Sequence, residues 1–225
     1  MSTAPRGEAP PAIVRVRITL REVKPTVWRK LEVSLTATLA DLHAAIQAAM
    51  DWEDVHLHCF RIFGRRYDSE HGLLSEDVRL ADLRLRSGER FSYVYNHSAP
   101  WEHELRVEAI GPGRPGRHYP RCIAGQHVCP PEWCTGPEAY DEIKAELLGL
   151  SYSEDLQLMA DFGNAVLAAR NGTVRDLLEA VDVDQIKDAL RRHERREELI
   201  GPFDRQHANR ALALLATAAA ATRPA

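Results

Sequence analysis

The sequence predicts an α+β fold, a β-sheet carrying a packed helix and followed by a helical C-terminal extension. Three observations point there. Residues 13–20 (IVRVRITL) alternate apolar and polar side chains, the period of a half-buried strand. Residues 38–52 place apolar side chains at helical spacing behind a capping pattern, which is the signature of an amphipathic helix. After residue 150 the apolar spacing is helical throughout, broken only by turn residues.

In the first strand Val14, Val16, Ile18 and Leu20 share one face, with Arg15, Arg17 and Thr19 on the other. Lys24-Pro25 marks a turn, and residues 27–33 read as a second strand pairing with the first. Thr38 and Asp41 then stand at capping-box spacing, with Asp in the position more often held by Glu or Gln. Leu39, Leu42, Ile46 and Ala49 or Met50 carry the helix to Trp52, completing a β-β-α opening. Residues 57–63 form a third predicted strand, with His58, Phe60 and Ile62 on one face; residues 78–85 are turn-like; residues 91–95 are a fourth strand.

Residues 101–110 are a fifth, whose alternation puts Trp101, His103, Leu105 and Val107 on the apolar face and Glu102, Glu104, Arg106 and Glu108 on the other. Residues 111–136 are rich in Gly and Pro and are expected to lack regular structure, an unusual length for a loop unless something organises it. Tyr140, Ile143 and Leu147 suggest a helix, and a boundary is placed at residue 150. Beyond it, Ser153 can cap a helix stopped by Asn171-Gly172. A short helix follows from Thr173 through Leu178, a third runs through Ile186 and Leu190 to Gly201-Pro202, and an alanine-rich helix spans 205–222.

At 225 residues the chain can bury one good core with a smaller unit beside it. Its 44% apolar and 28% charged residues exclude a disordered protein. A net charge of −4 is the wrong sign for a protein built mainly to neutralise nucleic-acid phosphates. No apolar run approaches the roughly 20 residues that span a bilayer. Residues 1–12, with Pro5, Pro10 and Pro11, carry no export-signal pattern and read as a frayed tail. A cytoplasmic, reducing location is therefore expected, where cysteines are more often metal ligands or free thiols than disulfides.

The chemistry concentrates in YPRCIAGQHVCPPEWCTGP. Cys129 and Cys134 are spaced as zinc ligands, whereas the gap from Cys122 to Cys129 is longer than usual. Zinc would organise a loop that lacks its own hydrogen-bond ladder. The expected set is Cys122, Cys129 and Cys134 with His103 as fourth ligand, because its strand leads into the loop; His58 is the alternative. Against this stands the reading of three small buried thiols, or a redox-sensitive pair, with His103 a core histidine. Cys59 reads as an ordinary buried thiol.

A hydrolytic site around His97, Glu102, His103 and Glu104 is disfavoured, since both glutamates face away from His103 on a regular strand. The run KDALRRHERREE mixes signs at i,i+3 and i,i+4 and reads as a solvated helix face.

The blocks VRITLREVKPTVWRKLEV, TLADLHAAIQAAMDW, HLHCFRIFG, WEHELRVE and YPRCIAGQHVCPPEWCTGPEAYDEI resemble the plasmid pRiA4b ORF-3-like family, over about residues 13–150. That resemblance implies an α+β, β-grasp-like fold with a helix on a mixed sheet. It also implies an association with plasmids and mobile elements, hence the alternative of a DNA-associated accessory protein. The matching positions are Trp28, His56, His58, Trp101, His103, Cys122, Cys129, Pro130, Pro131, Glu132 and Cys134, of which Trp101, Trp28 and His56 are expected binding residues. The chain departs from the family's Tyr-Asp-Phe-Gly-Asp segment, reading Tyr95-Asn96-His97-Ser98-Ala99. The expectation is a non-enzymatic binding or scaffold module for a protein partner, stabilised by zinc; a metal-dependent hydrolase is the remaining alternative.

Overall fold

The computed structural model describes residues 11–68, 76–149, 151–168 and 182–222. Seven strands form one sheet: β1 (Ala12–Leu20), β2 (Trp28–Ser34), β3 (His58–Ile62), β4 (Arg65–Tyr67), β5 (Arg90–Tyr95), β6 (Trp101–Pro112) and β7 (Arg121–Gln126). Among the described residues five helices accompany them: α1 (Leu39–Met50), α2 (Pro137–Leu147), α3 (Ser151–Ala168), α4 (Val183–Ile200) and α5 (Arg205–Thr222). The chain is α+β with a helical C-terminal part. By its contacts it divides into two compact units, Met1–Glu132 with Phe203–Ala225, and Trp133–Pro202.

The first unit holds the sheet, in the order β4-β3-β5-β6-β1-β2-β7. Every pairing among the described strands is antiparallel, where the family resemblance implied a mixed sheet. Alternation in β1 buries Val14, Val16, Ile18 and Leu20. A register shift at Arg15/Val16 adjusts β1 against β6. On the other face, polar residues pair across strands, as in Arg15–Glu32 (2.7 Å) and Lys30–Glu108 (2.8 Å).

Helix α1 begins in a full capping box: Thr38 Oγ1 accepts from the Asp41 amide (3.0 Å), and Asp41 Oδ2 accepts from the Thr38 amide (2.8 Å). Its apolar stripe buries Leu39, Leu42 and Ile46 completely, each contributing roughly 1.5–3 kcal/mol. The helix lies over the apolar face of the sheet, tied to β5 by His43 and Gln47 and to β2 by the Ala49 carbonyl, which accepts from Arg29. It ends at Asp51 in the left-handed conformation (φ 64°).

The segment 111–136 was expected to lack regular structure. Instead Arg121–Gln126 forms β7, antiparallel to β2 and at the edge of the sheet. The short β4 was likewise not anticipated.

In the second unit α2 starts with Pro137 at its first turn, and Tyr140 donates to the Leu199 carbonyl at 2.6 Å. Helix α4 is capped by Asp182, which accepts from Asp184 and Gln185, and is stopped at Gly201. Asp155 on α3 receives Arg192 (2.7 Å) and the buried Arg196 (2.8 Å) from α4. The charged run 187–198 is therefore a mixed face that does structural pairing as well as facing solvent. The predicted stop at Asn171-Gly172 and the short helix 173–178 lie outside the described residues. Among the described residues no helix is long and apolar enough to cross a membrane.

Candidate metal centre

Side chains from α1, the turn after it, and strands β3, β5 and β6 converge beneath the sheet in the first unit. His43 and Gln47 are four residues apart on α1, hence on one face, and both reach the Tyr93 hydroxyl of β5, at 2.7 and 2.8 Å. The Gln47 amide donates to that oxygen, so the hydroxyl proton is directed to His43 Nδ1. His43 Nε2 then carries its proton towards Asp54 Oδ1, 2.8 Å away.

Asp54 sits in a left-handed turn (φ 60°), a conformation Asp tolerates better than most residues. Its side chain is 49% exposed, whereas that of His43 is 7% exposed. His58, at the start of β3, stacks on His43 with ring centroids 3.5 Å apart and planes within 10°. Its Nε2 is enclosed and has no hydrogen-bond partner. One ligand atom from each of His43, Asp54 and His58 lies within 4.8 Å of the others, and this is the one such three-residue cluster among the described residues.

The electrostatics keep these imidazoles neutral. Burial, reinforced by His43, lowers His58 from the ordinary histidine value to about 4. Burial also lowers His43, and Asp54 opposes it. A neutral imidazole with a free lone pair is the form that binds a transition metal. Two imidazoles and a carboxylate suit zinc and its neighbours, and the unpartnered His58 nitrogen fits such an ion.

Beside this cluster lies an aromatic wall. Trp52 stacks on Tyr95 (5.1 Å) and donates to the Pro130 carbonyl (2.8 Å). Tyr95 donates to Glu132, whose carboxylate also accepts from the backbone amides of Glu53 (2.5 Å) and Val55 (3.2 Å). Burial pushes Glu132 up, but these donors outweigh it and hold the carboxyl below its usual value.

The residues singled out in the sequence fall in several places. His103 is completely buried against Trp52 (5.5 Å) and Tyr93 (5.2 Å). Neither ring nitrogen has a hydrogen-bond partner of good geometry; the nearby Tyr93 and Trp101 backbones favour the charged form weakly, and burial prevails, lowering His103 to about 4. Trp101 is buried next to Trp52. Trp28 is half-buried on β2, with Arg17 over its ring at 4.1 Å. His56 is exposed, its ring against Tyr95 and its amide donating to the Tyr95 hydroxyl.

Cys122 lies on β7 and Cys129 just beyond it, both buried, with the enclosed Arg29 guanidinium between β2 and α1 close enough to oppose the effect of burial on their thiols. Burial nevertheless pushes Cys129 up to about 12. Cys134 belongs to the second unit, buried and directed at the Gly136 carbonyl. All four cysteines are free thiols. Glu102 and Glu104 face away from His103, as the alternation predicted, and Glu104 pairs with Arg90.

Of the cluster, only His58 was singled out in the sequence. His43 and Asp54 were missed. The signal for His43 was its spacing of four from Gln47, two polar residues on a helix whose other inward positions are apolar. Asp54 carried no signal of its own.

A family model described as plasmid pRiA4b ORF-3-like protein matches residues 12–163. A protein of Sinorhizobium fredii named y4hQ is 30% identical over 179 residues, covering 76% of this chain and 91% of its own length. The crystal structure of MM3350 from Methanosarcina mazei Go1 superposes with a TM-score of 0.56 at 30% identity, covering 64% of this chain and 86% of that one. None of these names states an activity.

Proposed function

The chain belongs to the plasmid pRiA4b ORF-3-like family, a membership that supplies a fold and no activity, and from the site itself we propose that it is a metal-binding module. The single observation that carries this reading is the stacked pair His43 and His58 with Asp54, three ligand atoms within 4.8 Å of one another. The ion is of the zinc class, given two imidazole nitrogens and one carboxylate oxygen. It would tie α1, the turn after it and β3 together, and the exposed side of Asp54 would present it to a partner. With its Nε2 turned to an ion, His43 would carry its proton on Nδ1 and donate it to the Tyr93 oxygen, as metal-ligating histidines commonly do with their other ring nitrogen. The module acts by binding, and zinc is its cofactor.

Elemental mass spectrometry on untagged protein tests this, beside His58→Ala, Asp54→Asn and Cys122→Ser. About one zinc per chain is expected, lost in the first two variants and kept in the third. Zinc lost only with Cys122→Ser would assign the metal to the cysteines and sink the imidazole site. A second reading, metal-dependent hydrolysis, is favoured by the set having three ligands, since catalytic zinc keeps an open position. Zinc-dependent cleavage of bis-p-nitrophenyl phosphate, lost in His58→Ala, would select it over binding alone.

A further inference from the structure

A second feature of the first unit lies apart from the imidazole cluster. The loop before β7, the start of β7 and one flank of α5 line an open cleft of about 590 Å³, bordered by Arg117, His118, Arg121, Arg205, Asn209 and Arg210 together with small and neutral residues. No acidic residue lines it. Among the described residues, the only ion pair made by these four arginines is Arg210–Asp204, at a long 3.9 Å. Arg205 also donates to the Ile123 carbonyl at 3.1 Å, which fixes its guanidinium at the wall. Four guanidiniums thus gather in one concavity of a chain whose net charge is −4. Like charges gathered along one wall repel one another, a repulsion that a bound anion relieves, and guanidinium forks match phosphate oxygens two at a time.

From this arrangement we propose that the cavity is a binding site for a phosphorylated small molecule, in which Arg117, Arg121, Arg205 and Arg210 hold the phosphates and His118 supplies a further hydrogen bond, while Asn209, engaged with Cys122 and Arg205, forms part of the wall. Shape selects a small ligand over a nucleic-acid backbone. The volume lies within the roughly 300–1,000 Å³ of small-molecule sites, and a duplex is held by an extended basic surface on a positively charged domain. The site shares no residue with the imidazole cluster, so each proposal can fail without the other.

The test is calorimetric titration of the full chain with ADP and with tripolyphosphate at about 50 mM salt, where screening is modest. Anisotropy with a labelled DNA duplex runs in parallel. ADP is expected to bind, tripolyphosphate to compete with it, and Arg121→Ala/Arg210→Ala to weaken both by about tenfold or more. Both substituted side chains are exposed, so the melting temperature of the double variant should stay near that of the parent, which separates lost recognition from lost folding. Absence of ADP and tripolyphosphate binding would overturn the proposal, as would equal affinity in the double variant. Duplex binding tighter than ADP and abolished by the same substitutions would replace it with a nucleic-acid surface.

Discussion

His103 is enclosed by Trp52 and Tyr93 with both ring nitrogens unpartnered, and that makes stability depend on pH. Its folded-state value is about 4, below the unfolded histidine value near 6.5. Between those limits the unfolded chain takes up a proton that the folded chain refuses, so stability is full above pH 6.5 and falls as the pH drops towards 4. The shift corresponds to about 3 kcal/mol. His103→Phe keeps an aromatic ring in the same wall and removes both buried nitrogens. It is expected to make the acid limb of melting temperature against pH shallower, leaving the part carried by His58, and to raise the midpoint at pH 5. An unchanged acid limb would show that His103 does not carry the dependence. Local pattern, in the cysteine spacing and the strand alternation, drew attention to His103, His58 and the cysteines. It could not reveal His43 and Asp54, because their meeting with His58 depends on how α1 crosses β5 and how the turn at Asp51 and Asp54 doubles back, both settled by tertiary packing.

Elements defined by their own local chemistry were legible. The Thr38–Asp41 box, the alternation of β1 and β6, and the Gly201 stop of α4 are each written in a few neighbouring residues. Strand β7 was not, because RCIAGQ alternates poorly and its pairing partner β2 lies far back in the chain. Its Gly125 records the reason for the weak pattern. A Cβ there would stand 2.4 Å from the Phe203 ring, which covers the Arg29 guanidinium at 3.8 Å. Small size at this position lets Phe203 seat against Arg29, a contact no local pattern announces. Gly125→Ala should therefore displace Phe203 and destabilise the fold by about 1–3 kcal/mol, the usual range for overpacking. Urea denaturation reads this directly, and a midpoint equal to the parent's would mean that Phe203 is not seated there.

At the scale of the molecule, the sequence marks the last helix only as alanine-rich, and an alanine-rich segment says little about what it covers. Helix α5 belongs to the unit that contains the sheet. It buries Ala208 and Leu212, and it closes the edge of β7. The Asn209 amide accepts from the Cys122 amide (3.0 Å) and donates to the Cys122 carbonyl (2.9 Å), pairing with the strand as a neighbouring strand would. An unpaired edge invites association with other chains, so α5 supplies both burial and protection. Residues 203–225 lie outside the segment matched to the family, 12–163, yet their removal is expected to weaken the sheet they are not part of. Burial of Leu212 and the two Asn209 hydrogen bonds together suggest a loss of about 3–5 kcal/mol. Truncation after Pro202 should lower the melting temperature, speed hydrogen exchange at the β7 amides before those of β1 and β6, and promote self-association on size exclusion. Unchanged β7 exchange in a monodisperse truncated chain would show instead that the edge is protected without the helix.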